Sequence, residues 1–268
     1  MPVPLRFDKL PPATARLLEL MAAECEPLQR FALIGGTALT LHLGHRISED
    51  LDFSFPGRHL DPGDVIEILE ALNRHGVTCV DIMPSAAKED ALNDGDDLDE
   101  IQRNFMATGG PLGEAEVKLT FVIHGAYRKD TEYLARVMPQ CLPYGNVRIA
   151  TVPIVFASKC VALSERIKSR DLFDLWWLTH RYTPAWPVEE IFHAVREFRP
   201  QPYEDTRARL LSYPIADTDE GFATLMDEPI TVDTIRADFR REVEQMEERQ
   251  MIPALQDRVR QPDDTPEP

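Results

Sequence analysis

Two aspartates separated by a single residue, Asp50 and Asp52, are the most chemically suggestive side chains of the chain. They lie in a stretch that alternates polar and apolar residues, which is typical of a half-buried strand, so both carboxylates are expected on one face. Hard oxygen ligands in this arrangement suit Mg²⁺, which usually keeps its other positions for water and phosphate. Taken alone, the pair fits a solvated strand face equally well.

A glycine pair, Gly35 and Gly36, precedes the aspartates and is followed by Thr37. It lies between a short apolar run at 31–34, which predicts a buried strand, and helix-forming residues that run to Gly44. Glycines let the backbone approach a ligand closely, and the unpaired N–H groups of a helix start favour an anion. The alternative is a tight turn with Thr37 as a helix cap. With the aspartates on the next strand, the segment offers a phosphate cradle beside a metal clamp.

A third cluster of charged residues lies at 158–174. Lys159 and Arg166 are two helical turns apart and are expected on one face, and Asp171 and Asp174 share a face of the following helix. Surface ion pairs are the alternative explanation. The neighbouring apolar residues are interpreted as core rather than as a platform for stacking bases; they are Leu172, Phe173, Leu175, Trp176, Trp177 and Leu178.

The elements that position these residues predict an α+β protein. A mixed β-sheet flanked by helices is expected over 1–150, a helical region over 151–260 and a disordered tail over 261–268. The predicted strands are at 31–34, 50–54, 77–82 and 147–152, with a hairpin formed by 101–106 and 114–123. The predicted helices are at 11–29, 37–43 and 65–72, and near 153–166, 170–181, 187–198 and 231–249.

Composition excludes several classes of protein. The formal net charge is −17, which argues against broad, sequence-indifferent binding to nucleic acid but leaves room for a local basic cleft. The acidic stretch 88–100 is interpreted as a solvated loop. No apolar run is long enough to cross a membrane, and the expected location is the cytoplasm. The four cysteines lack any metal-binding or disulfide spacing and are interpreted as small buried hydrophobic residues.

Two segments together carry a family resemblance. The sequence IGGTALTLHLGHRISEDLDFSF at 34–55 and the sequence SKCVALSERIKSRDLFDLWWL at 158–178 resemble the nucleotidyltransferase toxins of the AbiEii/AbiGii type. These belong to the nucleotidyltransferase superfamily, whose catalytic fold is similar to that of DNA polymerase β. The resemblance covers roughly residues 10–180. It implies a nucleotidyltransferase-like core and a helical region that completes the active-site cleft.

The resemblance also implies roles for individual residues. Asp50 and Asp52 would bind Mg²⁺, with Mn²⁺ as an alternative, and an NTP would be the substrate. Lys159 and Asp171 would complete the catalytic set, while Asp174 would have an orienting or capping role and would not take part in the reaction. The residues implied to hold the nucleotide are Gly36, Thr37, Arg46, Lys159 and Arg166. Lys168 would be a further phosphate contact.

One position departs from the family pattern. A later strand of many members carries a carboxylate where this chain has Thr120. A threonine hydroxyl cannot serve as an anionic metal bridge or as a proton acceptor at neutral pH. Glu116 faces the same side, but it would lie roughly 13 Å away along an extended strand. Either the two aspartates suffice together with Asp171, or catalysis is weakened.

The function implied by the resemblance is transfer of a nucleoside monophosphate from an NTP to an acceptor hydroxyl. The protein would be the toxin of a bacterial toxin–antitoxin or phage-defence pair, with a cognate antitoxin as partner. The acceptor is RNA, such as a transfer RNA 3′ end, or a protein. Basic residues that could line a local RNA groove are Arg166, Lys168, Arg170, Arg196, Arg199, Arg207 and Arg209. The alternatives are a non-catalytic nucleotide- or partner-binding module and, less compatible with the flanking motifs, a glycosyltransferase that uses the aspartate pair.

Overall fold

The structure, a computed structural model, describes residues 4–94, 97–124, 128–199, 201–216, 219, 221–222, 225–226 and 230–260. The chain divides into two compact units. The first comprises Met1–Lys159 with Thr224–Asp227, and the second comprises Cys160–Ala223 with Glu228–Pro268. The expected disordered tail at 261–268 lies outside the described residues.

The first unit is a mixed α/β structure, as the sequence predicts. Its helices are α1 (Pro12–Glu24), α2 (Gly35–Leu43), α3 (Pro62–Arg74), α4 (Ser85–Asp94), α5 (Leu98–Ile101), α6 (Arg128–Val137) and most of α7 (Val152–Glu165). Its strands are β1 (Ala32–Leu33), β2 (Leu51–Phe55), β3 (Val77–Asp81), β4 (Gln102–Gly109), β5 (Val117–Ile123), β6 (Leu142–Tyr144) and β7 (Val147–Ile149).

These strands form one seven-stranded sheet in the order β3-β4-β5-β2-β1-β7-β6. β2 is antiparallel to β1 and parallel to β5, and β4 is antiparallel to β5. The sheet is therefore mixed, and the predicted hairpin is confirmed in β4 and β5. β2 lies at the centre of the sheet, so residues at its start are held from both sides.

One side of the sheet is packed with aromatic rings. Phe53 and Phe121 stack with ring centroids 5.8 Å apart, and Phe31 meets Phe121 edge-on at 5.6 Å. All three rings are fully buried, and Leu51 beside them is also inaccessible to solvent. Because side chains alternate along a strand, burial of Leu51 and Phe53 turns Asp52 to the opposite face.

The second unit is helical and contains α8 (Ser169–His180), α9 (Glu189–Phe198), α10 (Tyr203–Leu211) and α11 (Val232–Arg260). The apolar residues of α8 form core, as the sequence predicts. Phe173 is fully buried and stacks on Phe222 at 5.0 Å, and the indole N–H of Trp176 donates to Asp238 at 3.0 Å. Trp177 is only partly buried.

The sequence-based expectation for the acidic stretch 88–100 was wrong. Instead of a solvated loop, it contains most of α4 and most of α5. Lys88 forms 2.8 Å ion pairs with both Asp81 and Asp99, which reduces the local repulsion, and Asp97 caps α5 through the backbone N–H of Asp99. Elements that the sequence pattern missed are α6, α10 and β6.

Three of the four cysteines match the expected interpretation. Cys25, Cys141 and Cys160 are buried, whereas Cys79 is partly exposed. Burial raises the pKa of Cys25 to about 12 and that of Cys79 to about 11, so these thiols stay protonated at neutral pH. Among the described helices, none combines the length and the apolar composition that crossing a bilayer requires.

Gly44 ends α2 in the left-handed region, with φ 61° and ψ 26°, where the sequence predicts the helix end. Replacing it by alanine should lower the free energy of unfolding by about 1–2 kcal/mol, the cost of this conformation for a residue with a Cβ. Gly44→Asn should lose less, because asparagine tolerates the left-handed region better. Urea denaturation measures both changes, and equal losses in the two variants would contradict this explanation.

Candidate active site

Asp50 immediately precedes β2, and Asp52 is the second residue of β2, next to the beginning of α2. The Ile34 N–H donates to the Asp52 carbonyl at 2.9 Å, which joins the chain just before α2 to β2. One carboxylate oxygen of Asp52 approaches Gly35 so closely that a Cβ there would lie 3.0 Å from it. Gly35 also has φ +70°, which disfavours any residue with a side chain. The glycine thus allows the carboxylate and the helix start to meet.

The two glycines are the first residues of α2 itself rather than a turn that precedes it. Ile34 is the N-cap and makes no side-chain capping bond, so Thr37 is not the cap. The first backbone N–H groups of a helix have no partner within the helix and favour an anion. The segment that the sequence predicts as a phosphate cradle is therefore the start of α2, and it lies adjacent to Asp52.

Gly36 makes room for a buried arginine. Arg46 is only 5% exposed, and a Cβ on Gly36 would lie 2.2 Å from a guanidinium nitrogen of Arg46 and 3.1 Å from the Ser48 hydroxyl. Arg46 also donates to the Ile47 carbonyl at 3.0 Å. A permanent positive charge is therefore placed against the start of α2, close to the segment that carries Asp50.

Three buried threonine hydroxyls hold the irregular segment 45–50 that joins α2 to β2. Each donates to a backbone carbonyl of the segment: Thr14 to Glu49 at 2.8 Å, Thr40 to Arg46 at 3.1 Å, and Thr37 to Asp50. Thr37 also hydrogen-bonds the Ser48 hydroxyl at 2.8 Å. The segment therefore has a fixed path, and the position of Asp50 is coupled to the first turn of α2.

These contacts show which signals the sequence analysis missed. Thr14, Thr40 and Ser48 had no assigned role, and nothing in their spacing pointed to one. Thr37 was predicted to hold the nucleotide, but its hydroxyl lies 2% exposed against the Asp50 backbone and Ser48. In this position Thr37 fixes the aspartate-bearing segment.

The sheet register places Thr120 beside the aspartate pair. Asp52 of β2 and Thr120 of β5 are direct partners in the parallel ladder. Thr120 is largely buried and its neighbour on β4 is Asn104. The strand next to β2 therefore supplies a hydroxyl, not a carboxylate, at the position level with Asp52.

The residues of the second motif lie on α7, on α8 and in the segment that joins them. Lys159 is buried on α7 and is the last residue of the first unit. In the second unit, Arg166 faces Asp171 at 3.4 Å, with Arg166 largely exposed and the Asp171 side chain nearly buried. Asp174 is fully buried on the same helix. The structure thus pairs Arg166 with Asp171 within the second unit.

Most residues of the expected basic groove already have partners within the second unit. Arg199 bonds Glu165 and Arg207 bonds Glu247, while Arg170 and Arg209 donate to backbone carbonyls. An arginine committed to such bonds offers fewer donors to phosphate. The structure therefore gives less support to an RNA groove along these helices than the sequence suggested.

The donors present fit a hard divalent cation. The Asp52 carboxylate lies beside the start of α2, strand alternation predicts that Asp50 faces the same side, and Mg²⁺ takes its remaining ligands from water and phosphate oxygens. Across the described part of the chain, no three His, Cys, Asp or Glu side chains are grouped to hold a metal by themselves. A cation here would therefore be shared between Asp50, Asp52 and a bound phosphate group.

The contact between Gly36 and Arg46 can be tested directly. Gly36→Ala should lower the free energy of unfolding by about 1–3 kcal/mol, because the added methyl group overlaps the guanidinium group. Gly63→Ala is the matched control, since Gly63 also lies in the first turn of a helix and its Cβ would meet only an Asp61 oxygen at 3.2 Å. The control should be neutral or stabilising in thermal unfolding. Equal stability of the two variants would mean that Arg46 moves aside at no cost.

Comparison with known proteins gives one curated relative and several similar structures. An uncharacterized protein of Aquifex aeolicus is 26% identical over 168 residues, which are 62% of this chain and 65% of that protein. The chain thus spans just under two thirds of its length. A nucleotidyltransferase structure from H. pylori gives a TM-score of 0.48 at 20% identity, over 88% of this chain and 96% of that chain. The nucleotidyltransferase toxin MenT4 of Mycobacterium tuberculosis gives 0.47 at 16% identity, over 85% and 81%.

A family model accounts for nearly the whole chain. The model of the nucleotidyl transferase AbiEii toxins of type IV toxin–antitoxin systems matches residues 16–264. The match includes both segments on which the resemblance was based. The resemblance inferred from those segments is confirmed, and the chain belongs to the AbiEii family of nucleotidyl transferase toxins.

Proposed function

We propose that this chain is a metal-dependent nucleotidyltransferase that moves a nucleoside monophosphate from an NTP to an acceptor hydroxyl. The cation would be Mg²⁺, with Mn²⁺ as an alternative. The protein would act in the bacterial cytoplasm as the toxin of a toxin–antitoxin or phage-defence pair, with a cognate antitoxin controlling it. RNA, in particular a transfer RNA 3′ end, is the favoured acceptor, and a protein hydroxyl is the other candidate.

The single observation that carries this proposal is the meeting of Asp52 with the start of α2. A carboxylate oxygen of Asp52 lies so close to Gly35, the first residue of α2, that a Cβ on Gly35 would be 3.0 Å from it. This oxygen is therefore adjacent to the N–H groups of the helix start. A cation ligand and an anion-binding helix end so close together match a metal-bound phosphate. Membership in the nucleotidyl transferase family points to the same chemistry.

The contacts of the chain's own groups support a role for each of them. Asp50 and Asp52 hold the metal, which when bound neutralises phosphate charge and favours in-line attack. Gly36 and the other N–H groups at the start of α2 bind the phosphates, and the Arg46 guanidinium, which packs against Gly36, adds positive charge. Thr37 positions Asp50 through its backbone carbonyl.

The second motif contributes the remaining proposed roles. Lys159 contacts the nucleotide phosphates, and Arg166 is a further phosphate contact. Asp171 completes the acidic set required for catalysis. The support for these three assignments is their match to the family motifs, together with family membership over residues 16–264.

One observation favours a second candidate function. Thr120 stands level with Asp52 in the ladder, so a third carboxylate is missing from that position. A chain with a weakened site could bind nucleotide without transferring it. That candidate predicts nucleotide binding in equilibrium dialysis with no incorporation of label, whereas measurable incorporation that depends on Asp52 excludes it.

Removal of either carboxylate tests the proposed activity. Asp50→Asn and Asp52→Asn should each lower incorporation from α-labelled NTPs into total RNA or lysate protein by at least about 100-fold, because each removes charge at the reacting centre. The matched control is Glu49→Gln, which removes one negative charge from the exposed neighbour of Asp50 and should retain activity. If the Asp52→Asn variant is as active as the wild type while remaining folded, the proposal is wrong.

Salt dependence separates the two acceptor classes. If RNA is the acceptor, labelling should fall steeply between 50 and about 200 mM salt, since phosphate contacts release counterions. The reaction product, separated on a denaturing gel, should carry its label in the RNA fraction. Label found only in protein would reject the RNA acceptor and leave the protein acceptor.

A further inference from the structure

The face of the sheet that carries Asp52 is defined by the register of three neighbouring strands. Asp52 of β2 pairs with Thr120 of β5, and Thr120 pairs in turn with Asn104 of β4. Paired residues on adjacent strands point to the same side, so these side chains form one row across the sheet. The row begins with a carboxylate and continues with a hydroxyl and an amide.

Lys118 extends the same face beside Asp50. It lies two residues before Thr120, so the two side chains point the same way. The β2–β5 ladder begins with the pair Leu51 and Leu119. Continuing its register back by one residue sets Asp50, which immediately precedes β2, level with Lys118. Lys118 is exposed, so its ammonium group is accessible to a ligand on this face.

Acidic residues on this face are confined to the aspartate pair. The side chains that β4 and β5 present there are Gln102, Asn104, Met106, Thr108, Lys118, Thr120 and Val122. Within β2, β4, β5 and the residue preceding β2, all of them described, Asp50 and Asp52 are therefore the only carboxylates on the face. Glu116, which is exposed, lies just before β5 begins and outside the ladder.

This charge pattern bears on how many cations the site can hold. Two divalent ions in a shared site lie about 3.5–4 Å apart. Their repulsion is four times that of two unit charges at the same distance, so bridging carboxylates are needed to offset it. The two carboxylates and one ammonium group of this sheet face fall short of that, and the Thr120 hydroxyl cannot act as an anionic bridge. Asp171 belongs to the second unit and is not part of this face.

We propose that the site takes one divalent ion with the nucleotide and that the ammonium group of Lys118 replaces a second ion. This inference rests on the proposed nucleotidyl transfer. Lys118 donates to the transferring phosphoryl group and stabilises the charge that develops on it. The acceptor oxygen forms a bond to the α-phosphorus while the bond to the bridging oxygen breaks. Pyrophosphate leaves with that electron pair, and the acceptor proton passes to water.

Counting bound ions tests the single-ion site without relying on activity. Mn²⁺ is titrated into the whole chain in the presence of saturating α,β-methylene NTP, and bound Mn²⁺ is measured by electron paramagnetic resonance. Wild type should bind one Mn²⁺ per chain, and Thr120→Asp should bind two because it restores a bridging carboxylate. Two ions on the wild type would overturn the inference, whether or not the Thr120→Asp variant folds.

A second variant tests Lys118 itself. Lys118→Met should lower kcat about 100-fold, while the affinity for the analogue stays within about threefold and the Mn²⁺ count stays at one. Lys129→Met, at an exposed lysine of α6, should leave all three measurements unchanged. A Lys118→Met enzyme with wild-type kcat would refute the role of Lys118.

Wild type that incorporates label but binds two Mn²⁺ ions contradicts only this inference, whereas wild type with neither incorporation nor Mn²⁺ binding contradicts the proposed function as well.

Discussion

The hydrogen bonds from three buried threonines to segment 45–50 are the interaction on which the candidate site depends. This segment lies outside the sheet ladders and the helices, so its carbonyl groups need other partners. A carbonyl left without a partner costs about 1–3 kcal/mol where it is buried. By donating to three carbonyls of the segment, the hydroxyls favour a single path for it. Arg46 and Asp50 are thereby fixed relative to α2, so the proposed cation and phosphate positions follow from these bonds.

The local architecture of the site could be predicted because its signals are local. Alternation around Asp52 identified β2, and Gly44 marked the end of α2. The threonine contacts could not be predicted, since Thr14 reaches a carbonyl 35 residues away and a hydroxyl has no spacing pattern that indicates its acceptor. The position of Thr120 directly beside Asp52 could not be predicted either, because it depends on the register between β2 and β5, which the whole sheet determines.

The sequence analysis missed the helices at 88–100 and the helix α10 for the same physical reason. Composition indicated a loop at 88–100, but two ion pairs of Lys88 link α4 to β3 and α5. In the second unit, α10 has charged residues on much of its surface, and Arg207 and Tyr203 both bond Glu247 of α11. In both places contacts between elements stabilise a helix whose own sequence pattern is weak. The second of these contacts occupies Arg207, which the sequence analysis had included among the residues that could line an RNA groove.

The fit of Arg46 against Gly36 links two positions that are ten residues apart in the chain. A side chain at position 36 requires a smaller residue at position 46, and a shorter residue at 46 leaves a void that glycine cannot fill. Either change made first lowers stability, so the two positions are expected to change together. Among related sequences, an exchange at one site is expected to be accompanied by a compensating exchange at the other.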